Sequence, residues 1–272
     1  MIEVTFNNTD LPDILELRNV SQSYGKNKII ENCNLLIENR PNEGQFEVIL
    51  GMSGCGKSTL LRYLAGLQKP TSGEVFINGR PRQDSDAVSM VFQQYSSMHF
   101  HTVLTNVMLP LIFRGVPRVE AQAKAMELIK ALGLEGHENK YAQQSDGRRS
   151  GLSGGQLQRV AIARSLIANP EIILMDEPFG ALDILTRTGM QLILTDIWQR
   201  LQSTIVFVTH DIPEAVFLGQ NIYIMGGKPA KLIEHVSVDI PFPRTVATKR
   251  TTQFTNLVGQ VEDLVLRMNQ TV

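Results

Sequence analysis

Residues 46–58 read FEVILGMSGCGKS and carry the strongest structural signal in the chain. Residues 46–50 are a short apolar run of the kind that is buried in a parallel sheet, and a helical run begins at Thr59. The loop between them fits GxxxxGKS/T, whose glycines let backbone N–H groups turn inward below a helix N-terminus. This order of strand, loop and helix predicts a phosphate-binding loop.

The residues of this loop have different predicted tasks. Lys57 is expected to reach the β- and γ-phosphates of a nucleoside triphosphate, and the Ser58 hydroxyl is expected to help hold Mg²⁺. Cys55 is expected to contribute its backbone only. The motif is general, because it occurs in kinases, GTPases and many ATPases, and a plain glycine-rich turn is the alternative interpretation.

Two adjacent carboxylates narrow the choice. Residues 172–175 are an apolar strand that ends in Asp176 and Glu177. The first acid at such a strand end can hold Mg²⁺, and the next can accept a proton from an attacking water. Asp176 is therefore the predicted metal residue and Glu177 the predicted general base. Without the preceding loop, the same pair would be interpreted as ordinary surface.

Apolar periodicity predicts an α/β fold. Short buried strands separated by helical stretches indicate a mostly parallel sheet with helices on both faces, and they lie at 46–50, 88–92, 172–175, 204–208 and 222–225. β-rich runs predict a separate antiparallel layer from 14–21, 33–37 and 74–77. From 95 to 169 amphipathic stretches such as 119–132 replace strand-like runs, which predicts an inserted helical subdomain.

These patterns predict one domain over residues 1–272. The α/β core with its β layer spans 14–94 and 169–235, the helical insertion spans 95–168, and a C-terminal extension spans 236–272. The extension is predicted to end in a helix that packs on the body, because 251–268 carry apolar residues at helical spacing.

Composition limits the classes of function. The formal net charge of −1 provides no basic surface for nucleic acid. The most apolar runs, such as 107–113, fall far short of the roughly 18 residues that cross a bilayer. Residues 1–10 lack the pattern of a signal peptide, and Cys33 and Cys55 form no zinc-like cluster. We therefore expect a cytoplasmic protein with reduced thiols and no nucleic-acid partner.

The segment Leu152-Ser153-Gly154-Gly155-Gln156 precedes a helical stretch and closely resembles the signature sequence of ATP-binding cassette (ABC) proteins. Other elements of that family also occur over residues 15–233, on both sides of this segment and in the order that is typical of the family. They are Tyr24, the phosphate loop, Gln93, the acidic pair, Ala181-Leu182-Asp183 and His210. The resemblance implies a P-loop NTPase (RecA-like) core with an antiparallel β layer and an all-helical signature subdomain.

The resemblance also implies residue roles. Tyr24 would stack on adenine, Gln93 would touch the Mg²⁺ or water site, and His210 would contact the γ-phosphate and the general base. Ser153 and the signature glycines would bind the γ-phosphate in the other subunit of a head-to-tail dimer, and Asp183 would help couple the two sites.

Together these inferences give a catalytic set of Glu177, His210 and Gln93 and a metal set of Ser58, Gln93 and Asp176. The predicted cofactors are ATP and Mg²⁺. The predicted nucleotide-binding set is Tyr24, Gly51, Ser53, Gly54, Cys55, Gly56, Lys57, Ser58, Thr59, Ser153, Gly154, Gly155, Gln156 and Asp183.

Within the family the chain is most similar to ATPases that import nitrate, sulfonate or taurine, with bicarbonate systems nearby. The late segment Ile240-Pro241-Phe242-Pro243-Arg244 is the most selective part of that similarity. It implies membrane permease subunits, a second ATPase subunit and a solute-binding protein as partners, at the cytoplasmic face of the inner membrane. A polar insertion at 145–151 and the sequence MHFH at 98–101 depart from this group.

Two other functions stay open. A soluble relative acting on ribosomes or DNA ends uses the same cassette, but resembles tandem cassettes or carries a long coiled coil that this chain lacks. A degenerate cassette could bind nucleotide only to support a partner, although Lys57, Asp176, Glu177 and His210 are all retained.

Overall fold

The computed structural model describes residues 12–40, 43–86, 88–94, 97–98, 100–142 and 151–270, with residues 269 and 270 described by their backbone alone. Two sheets form within these residues. The antiparallel sheet consists of β1 (Leu15–Tyr24), β2 (Asn27–Ile37), β4 (Ser72–Ile77) and β5 (Arg80–Pro81). The mostly parallel sheet consists of β3 (Gln45–Gly51), β6 (Val88–Val91), β7 (Ile172–Asp176), β8 (Thr204–Thr209), β9 (Asn221–Gly226) and β10 (Lys231–Ser237).

The strand order is β2-β1-β4-β5 in the first sheet and β10-β9-β3-β8-β7-β6 in the second. In the second sheet β9, β3, β8, β7 and β6 run parallel, and β10 pairs antiparallel with β9. All five predicted buried strands therefore belong to one parallel sheet, and the predicted antiparallel layer is a separate sheet. The predicted fold class is confirmed.

Helices cover both faces of the parallel sheet. The helices of the described residues are α1 (Lys57–Ala65), α2 (Val103–Phe113), α3 (Arg118–Ala131), α4 (Gly154–Leu166), α5 (Ile184–Leu201), α6 (Ile212–Leu218) and α7 (Thr252–Gln270), with a 3-10 turn at Thr248–Arg250. Of these, α2 and α3 pack with α4. Alternate residues of β3 face opposite ways, because Phe46 and Val48 pack with α5 and α6 while Ile49 packs with α1 below the antiparallel sheet. The site that follows β3 is thus supported from both sides.

The structure differs from the sequence prediction at the end of the core. Lys231–Ser237 forms an edge strand that was not predicted, and the predicted boundary at 235/236 falls inside it. An edge strand that is only partly buried lacks a clean apolar alternation, which explains why the pattern was weak. The final helix does pack on the body as predicted, through Phe254 and Val261.

Glu47 is a buried carboxyl in the middle of β3. Its side chain is 1% exposed, and Oε1 accepts a hydrogen bond of 3.0 Å from Asn221. Burial raises the pKa of Glu47 to about 7, against the smaller opposing effects of that hydrogen bond and of the Arg40 charge. The neighbouring His235 also bonds Asn221, and burial lowers its pKa.

We expect Glu47→Gln to change how stability depends on pH. A raised carboxyl pKa contributes stability below the unfolded pKa of 4.5, and that contribution is lost as the pH rises through about 7. The wild type should therefore lose about 3 kcal/mol of unfolding free energy over this range through Glu47, and the variant should not. Urea unfolding at several pH values measures this difference. The contribution of His235 to the pH dependence is the same in both proteins and cancels in the comparison. Glu127→Gln, at an exposed position, is the control. Parallel curves for the wild type and Glu47→Gln would contradict the assignment.

Candidate functional site

The parallel sheet brings the predicted site residues to one edge. The strand order β3-β8-β7-β6 places the segments that follow these strands side by side, because parallel strands all end at the same edge. The phosphate loop follows β3, His210 follows β8, Asp176 ends β7 with Glu177 next, and Gln93 lies two residues beyond β6. Residues distant in sequence therefore meet there.

The phosphate loop depends on its glycines for shape. Gly54 and Gly56 have φ angles of 81° and 103°, in the left-handed region that glycine tolerates. At Gly51 an added Cβ would lie 2.5 Å from the Met225 carbonyl oxygen, so the loop and β9 approach too closely for a side chain. Gly56 caps α1 without a side-chain hydrogen bond, so no side chain at this cap takes the first N–H groups of the helix.

Lys57 lies inside the loop with 3% of its side chain exposed. Its ammonium donates hydrogen bonds of 2.9 Å to the carbonyl oxygens of Gly51 and Met52. The same nitrogen is 3.3 Å from Glu177 Oε1. A buried cation needs such partners, and here they come from the loop itself and from the predicted general base.

Ser58 and Asp176 form a second contact across the edge. The Ser58 hydroxyl donates a hydrogen bond of 2.9 Å to Asp176 Oδ1. Burial raises the pKa of Asp176, and the hydrogen bond from Ser58 partly offsets this. One hydroxyl and one carboxylate are oxygen donors that suit Mg²⁺, which binds few protein ligands and completes its shell with water and phosphate oxygens. The donor set therefore fits the predicted ion.

Glu177 is held by three groups. Its φ angle of 42° is unusual for a residue with a side chain, and its N–H donates to the Val208 carbonyl at 3.0 Å. Its carboxylate contacts Lys57 through Oε1 and His210 through Oε2, where the distance to His210 Nδ1 is 2.9 Å. The predicted base is thus aimed into the edge between the predicted phosphate and histidine contacts.

Tyr24 and Gln93 lie at the surface. Tyr24 is 51% exposed, and its hydroxyl accepts a hydrogen bond of 2.9 Å from Gln68 Nε2. The bond orients the ring while a large part of its surface stays accessible to a planar ligand. Gln93 is exposed at the same sheet edge as Asp176.

The signature segment starts a helix. Ser153 caps α4 in a capping box, because its hydroxyl accepts from Gln156 N at 3.2 Å and Gln156 Oε1 accepts from Ser153 N at 2.9 Å. Ser153 and Gly154 are exposed, and these hydrogen bonds stay within the helix N-terminus. An added Cβ at Gly155 would lie 3.1 Å from the Leu182 side chain. The signature therefore packs against the Asp183 segment of its own subunit.

Asp183 caps the next helix. Its Oδ1 accepts hydrogen bonds of 3.1 Å from the N–H groups of Leu185 and Thr186 at the start of α5. Hydrogen bonding to Thr186 lowers the pKa of Asp183. The aspartate is therefore ionised and exposed at a helix N-terminus, where a negative charge is favourable.

Sequence reasoning missed His137. Its Nε2 lies 2.8 Å from Gln156 Nε2, and the Gln156 oxygen is already taken by Ser153. Gln156 therefore donates and His137 accepts, which ties the loop after α3 to the capping box of the signature helix. No local pattern announces this contact, because the two residues belong to different elements.

The two segments that depart from the importer group lie partly outside the described residues. The polar insertion at 145–151 lies, except for Gly151, outside the described residues, and so does His99 of the 98–101 segment. Of that segment Phe100 is 75% exposed.

Comparisons with known proteins agree with this geometry. A model of the ABC transporter family matches residues 36–180. The chain is 42% identical to an uncharacterised ABC transporter ATP-binding protein of Methanocaldococcus jannaschii, over 85% of this chain and 84% of that protein. The chain belongs to the ABC transporter family.

Other relatives of this ABC subunit have named solutes. It is 40% identical to an aliphatic sulfonates import ATP-binding protein of Bacillus licheniformis, over 85% of this chain and 87% of that protein. It is 39% identical to a nitrate import ATP-binding protein of Synechocystis, over 87% of each chain. The predicted similarity to sulfonate and nitrate importer ATPases is confirmed.

A solved ABC structure matches the cassette fold. It is a dimeric ATP-binding cassette in a post-hydrolysis state with bound ADP and Pi. The match has a TM-score of 0.70 and 36% identity, and it covers 84% of this chain and 100% of the other. This chain is accordingly an ABC transporter ATP-binding subunit. Among its described residues no helix has the length and apolar character needed to cross a membrane.

We expect Gly51→Ala to abolish nucleotide binding by the phosphate loop. The new methyl group would overlap the Met225 carbonyl oxygen, so the loop must shift and the variant should lose about 1–3 kcal/mol of stability. Titration with a fluorescent ATP analogue and thermal unfolding measure both effects. Gly259→Ala is the control, because nothing lies within 4 Å of its added Cβ in α7, and it should gain about 0.5–1 kcal/mol. Wild-type affinity in Gly51→Ala would contradict the packing argument.

Proposed function

We propose that this ABC transporter ATPase hydrolyses ATP at sites shared between two subunits and so powers the import of a small anion through a separate membrane permease. The observation that carries the proposal is the meeting of Lys57, Ser58, Asp176, Glu177 and His210 at one sheet edge. A cassette that only bound nucleotide would not need a base held against a histidine.

Nucleotide binding uses the loop and Tyr24. The triphosphate lies over the N–H groups of the phosphate loop and the start of α1, and adenine stacks on the exposed Tyr24 ring. Phosphate oxygens compete for the Lys57 ammonium, which otherwise lies 3.3 Å from Glu177. Binding therefore draws the cation away from Glu177 and leaves Oε1 of this carboxylate available to a water molecule.

Ser58 and Asp176 would hold Mg²⁺, and Gln93 at the same edge would be a further oxygen donor. A bound ion would supply positive charge against the phosphate oxygens. A cation beside Asp176 would also lower the cost of keeping this buried carboxylate ionised, since burial and, to a smaller extent, the neighbouring Glu177 charge raise its pKa.

Glu177 and His210 act on the attacking water. Glu177 orients the water and accepts its proton as the oxygen attacks the γ-phosphorus and the bond to the ADP oxygen breaks. His210 donates through Nδ1–H to Glu177 Oε2, which fixes the orientation of the base. The His210 side chain is half exposed, which leaves its other ring nitrogen available to the γ-phosphate.

The signature acts in the other subunit. Ser153 and Gly154 are exposed at the N-terminus of α4, a position suited to an anionic oxygen, and Ser153 bonds only within its own helix start among the hydrogen bonds described. A head-to-tail pair places this terminus over the γ-phosphate held by a partner's loop. Asp183 lies beside the signature through the Leu182–Gly155 contact, so it couples the two sites.

The division of the chain follows these tasks. The α/β core and β layer, 14–94 and 169–237, bind nucleotide. The subdomain 95–168 carries the signature, and the extension follows Ser237 at the end of β10.

The permease contacts the apolar end of α2, where Phe113 is 76% and Ile112 37% exposed. The relatives named for sulfonates and nitrate support a small anion as the solute. The proposal includes a solute-binding protein in the complex. The subunit lies at the cytoplasmic face of the inner membrane.

Glu177→Gln tests the hydrolytic assignment. Loss of a positioned general base should lower ATP turnover by at least about 100-fold, while ATP binding is retained. The variant should form an ATP- and Mg²⁺-dependent dimer of twice the 30.3 kDa chain, measured by light scattering. Glu127→Gln, an exposed change on α3, is the matched control. Unchanged turnover, or a particle size indifferent to ATP, would break the proposal.

Phe113→Ser tests the permease contact. Exposed apolar anchors contribute much of the energy at interfaces, so this change should reduce recovery of the permease with the tagged subunit by about tenfold. The measurement is detergent pull-down from membranes, with polytopic proteins identified by mass spectrometry and ATP turnover of the isolated subunit as a check on folding. Leu266→Ser, 60% exposed on α7, is the control. Equal recovery of the permease with the Phe113→Ser and Leu266→Ser variants would contradict a permease contact at α2.

A further inference from the structure

A chain of hydrogen bonds leads from the C-terminal extension to the segment that carries His210. The Lys249 ammonium donates to Gln191 Oε1 at 2.6 Å. The Gln191 amide donates to Glu214 Oε1 at 2.9 Å, and the Thr209 hydroxyl donates to Glu214 Oε2 at 2.6 Å. Thr209 immediately precedes His210, so the chain ends beside the predicted catalytic histidine.

The middle of this chain is buried. Gln191 and Thr209 are each 2% exposed and Glu214 is 5% exposed. Burial raises the pKa of Glu214, and its hydrogen bonds to Thr209 and Gln191 oppose this. A buried carboxylate is costly without such donors, and the Gln191 amide can keep its orientation only if its oxygen also has a donor. Lys249 is that donor.

The same groups fix the backbone on both sides of His210. The Thr209 hydroxyl accepts from Asp211 N at 3.1 Å, and Asp211 Oδ1 accepts from Glu214 N at 2.8 Å. The turn is therefore held by Glu214 through Thr209 before His210 and through Asp211 after it. His210 Nδ1 then lies 2.9 Å from Glu177. A rotation of this turn would change that distance directly.

The extension itself is anchored beside Lys249. The Arg244 guanidinium is 2% exposed and donates to the carbonyl oxygens of Val216, Phe217 and Gly219 at the end of α6, at 3.0, 2.9 and 2.8 Å. Lys249 lies 4.4 Å from the centre of the Phe217 ring. Arg244 thus fixes the path of the chain, and Lys249 projects from it to Gln191.

We propose that Lys249 is a positioning residue for ATP hydrolysis, which acts through Gln191 and Glu214 to hold His210 against Glu177. The inference rests on the proposed function, because it assigns a role to the same histidine. It makes the C-terminal extension part of the hydrolytic machinery. Most of the nucleotide contacts come from Tyr24 and the phosphate loop, which the chain of hydrogen bonds does not reach, so the loss of Lys249 acts mainly on kcat and changes KM little.

The test is ATP turnover of Lys249→Met. We expect kcat to fall about tenfold, as for the loss of one charged hydrogen bond, with KM for ATP within twofold of the wild type. Lys249→Arg keeps the charge and the donors and should retain most of the activity. Arg250→Met, an exposed change in the same turn, should behave like the wild type. If Lys249→Met does not fold, Lys249→Gln replaces it.

A double-mutant cycle separates positioning from a general loss of structure. In a His210→Gln background Lys249 has no histidine to position, so Lys249→Met should no longer lower the rate of hydrolysis. Single-turnover assays with enzyme in excess measure the slow variants. An unchanged kcat in Lys249→Met, or an equal effect in both backgrounds, would overturn the inference. Neither result contradicts the proposed function, which is tested separately by Glu177→Gln.

Discussion

Parallel pairing of β3 with β8 and of β8 with β7 determines where the polar residues of this protein lie. The side chains of these strands are buried on both faces, and their backbone groups are used in the ladder. Charged groups can therefore collect without large cost only where the strands end. Glu47 is the exception within a strand, and its raised pKa records what burial costs a carboxylate there.

The charged groups at the strand ends each have partners within the protein. Lys57 takes two carbonyl oxygens of its own loop and one oxygen of Glu177, while Asp176 is stabilised by the Ser58 hydroxyl. Under the proposed function, a bound nucleotide and its cation would offer new partners to both groups, phosphate oxygens to the lysine and a positive charge to the aspartate. The exchange would leave the Glu177 carboxylate in contact with His210 through Oε2, with Oε1 released from Lys57.

The sequence predicts the positions of those site residues whose place depends on local order. The phosphate loop, the acidic pair and His210 each follow an apolar strand, and strand ends share one edge, so their meeting could be predicted. The contacts that orient these groups could not. His137 meets Gln156 and Lys249 meets Gln191 across elements that are distant in sequence, and neither pair has a local signal. β10 was missed because a half-buried edge strand needs no regular apolar alternation.

Helix α5 contacts three segments that surround the candidate site. Asp183 caps its N-terminus, Arg187 in its first turns reaches both Asp211 at 3.4 Å and the Leu182 carbonyl at 3.1 Å, and Gln191 meets Lys249. One helix therefore contacts the segment beside the signature, the turn of His210 and the C-terminal extension. A helix moves as a rigid unit, so a displacement of Asp183 would also displace the supports of His210. Under the proposed function, contact along α5 provides a physical route from the separation of two subunits to the orientation of Glu177.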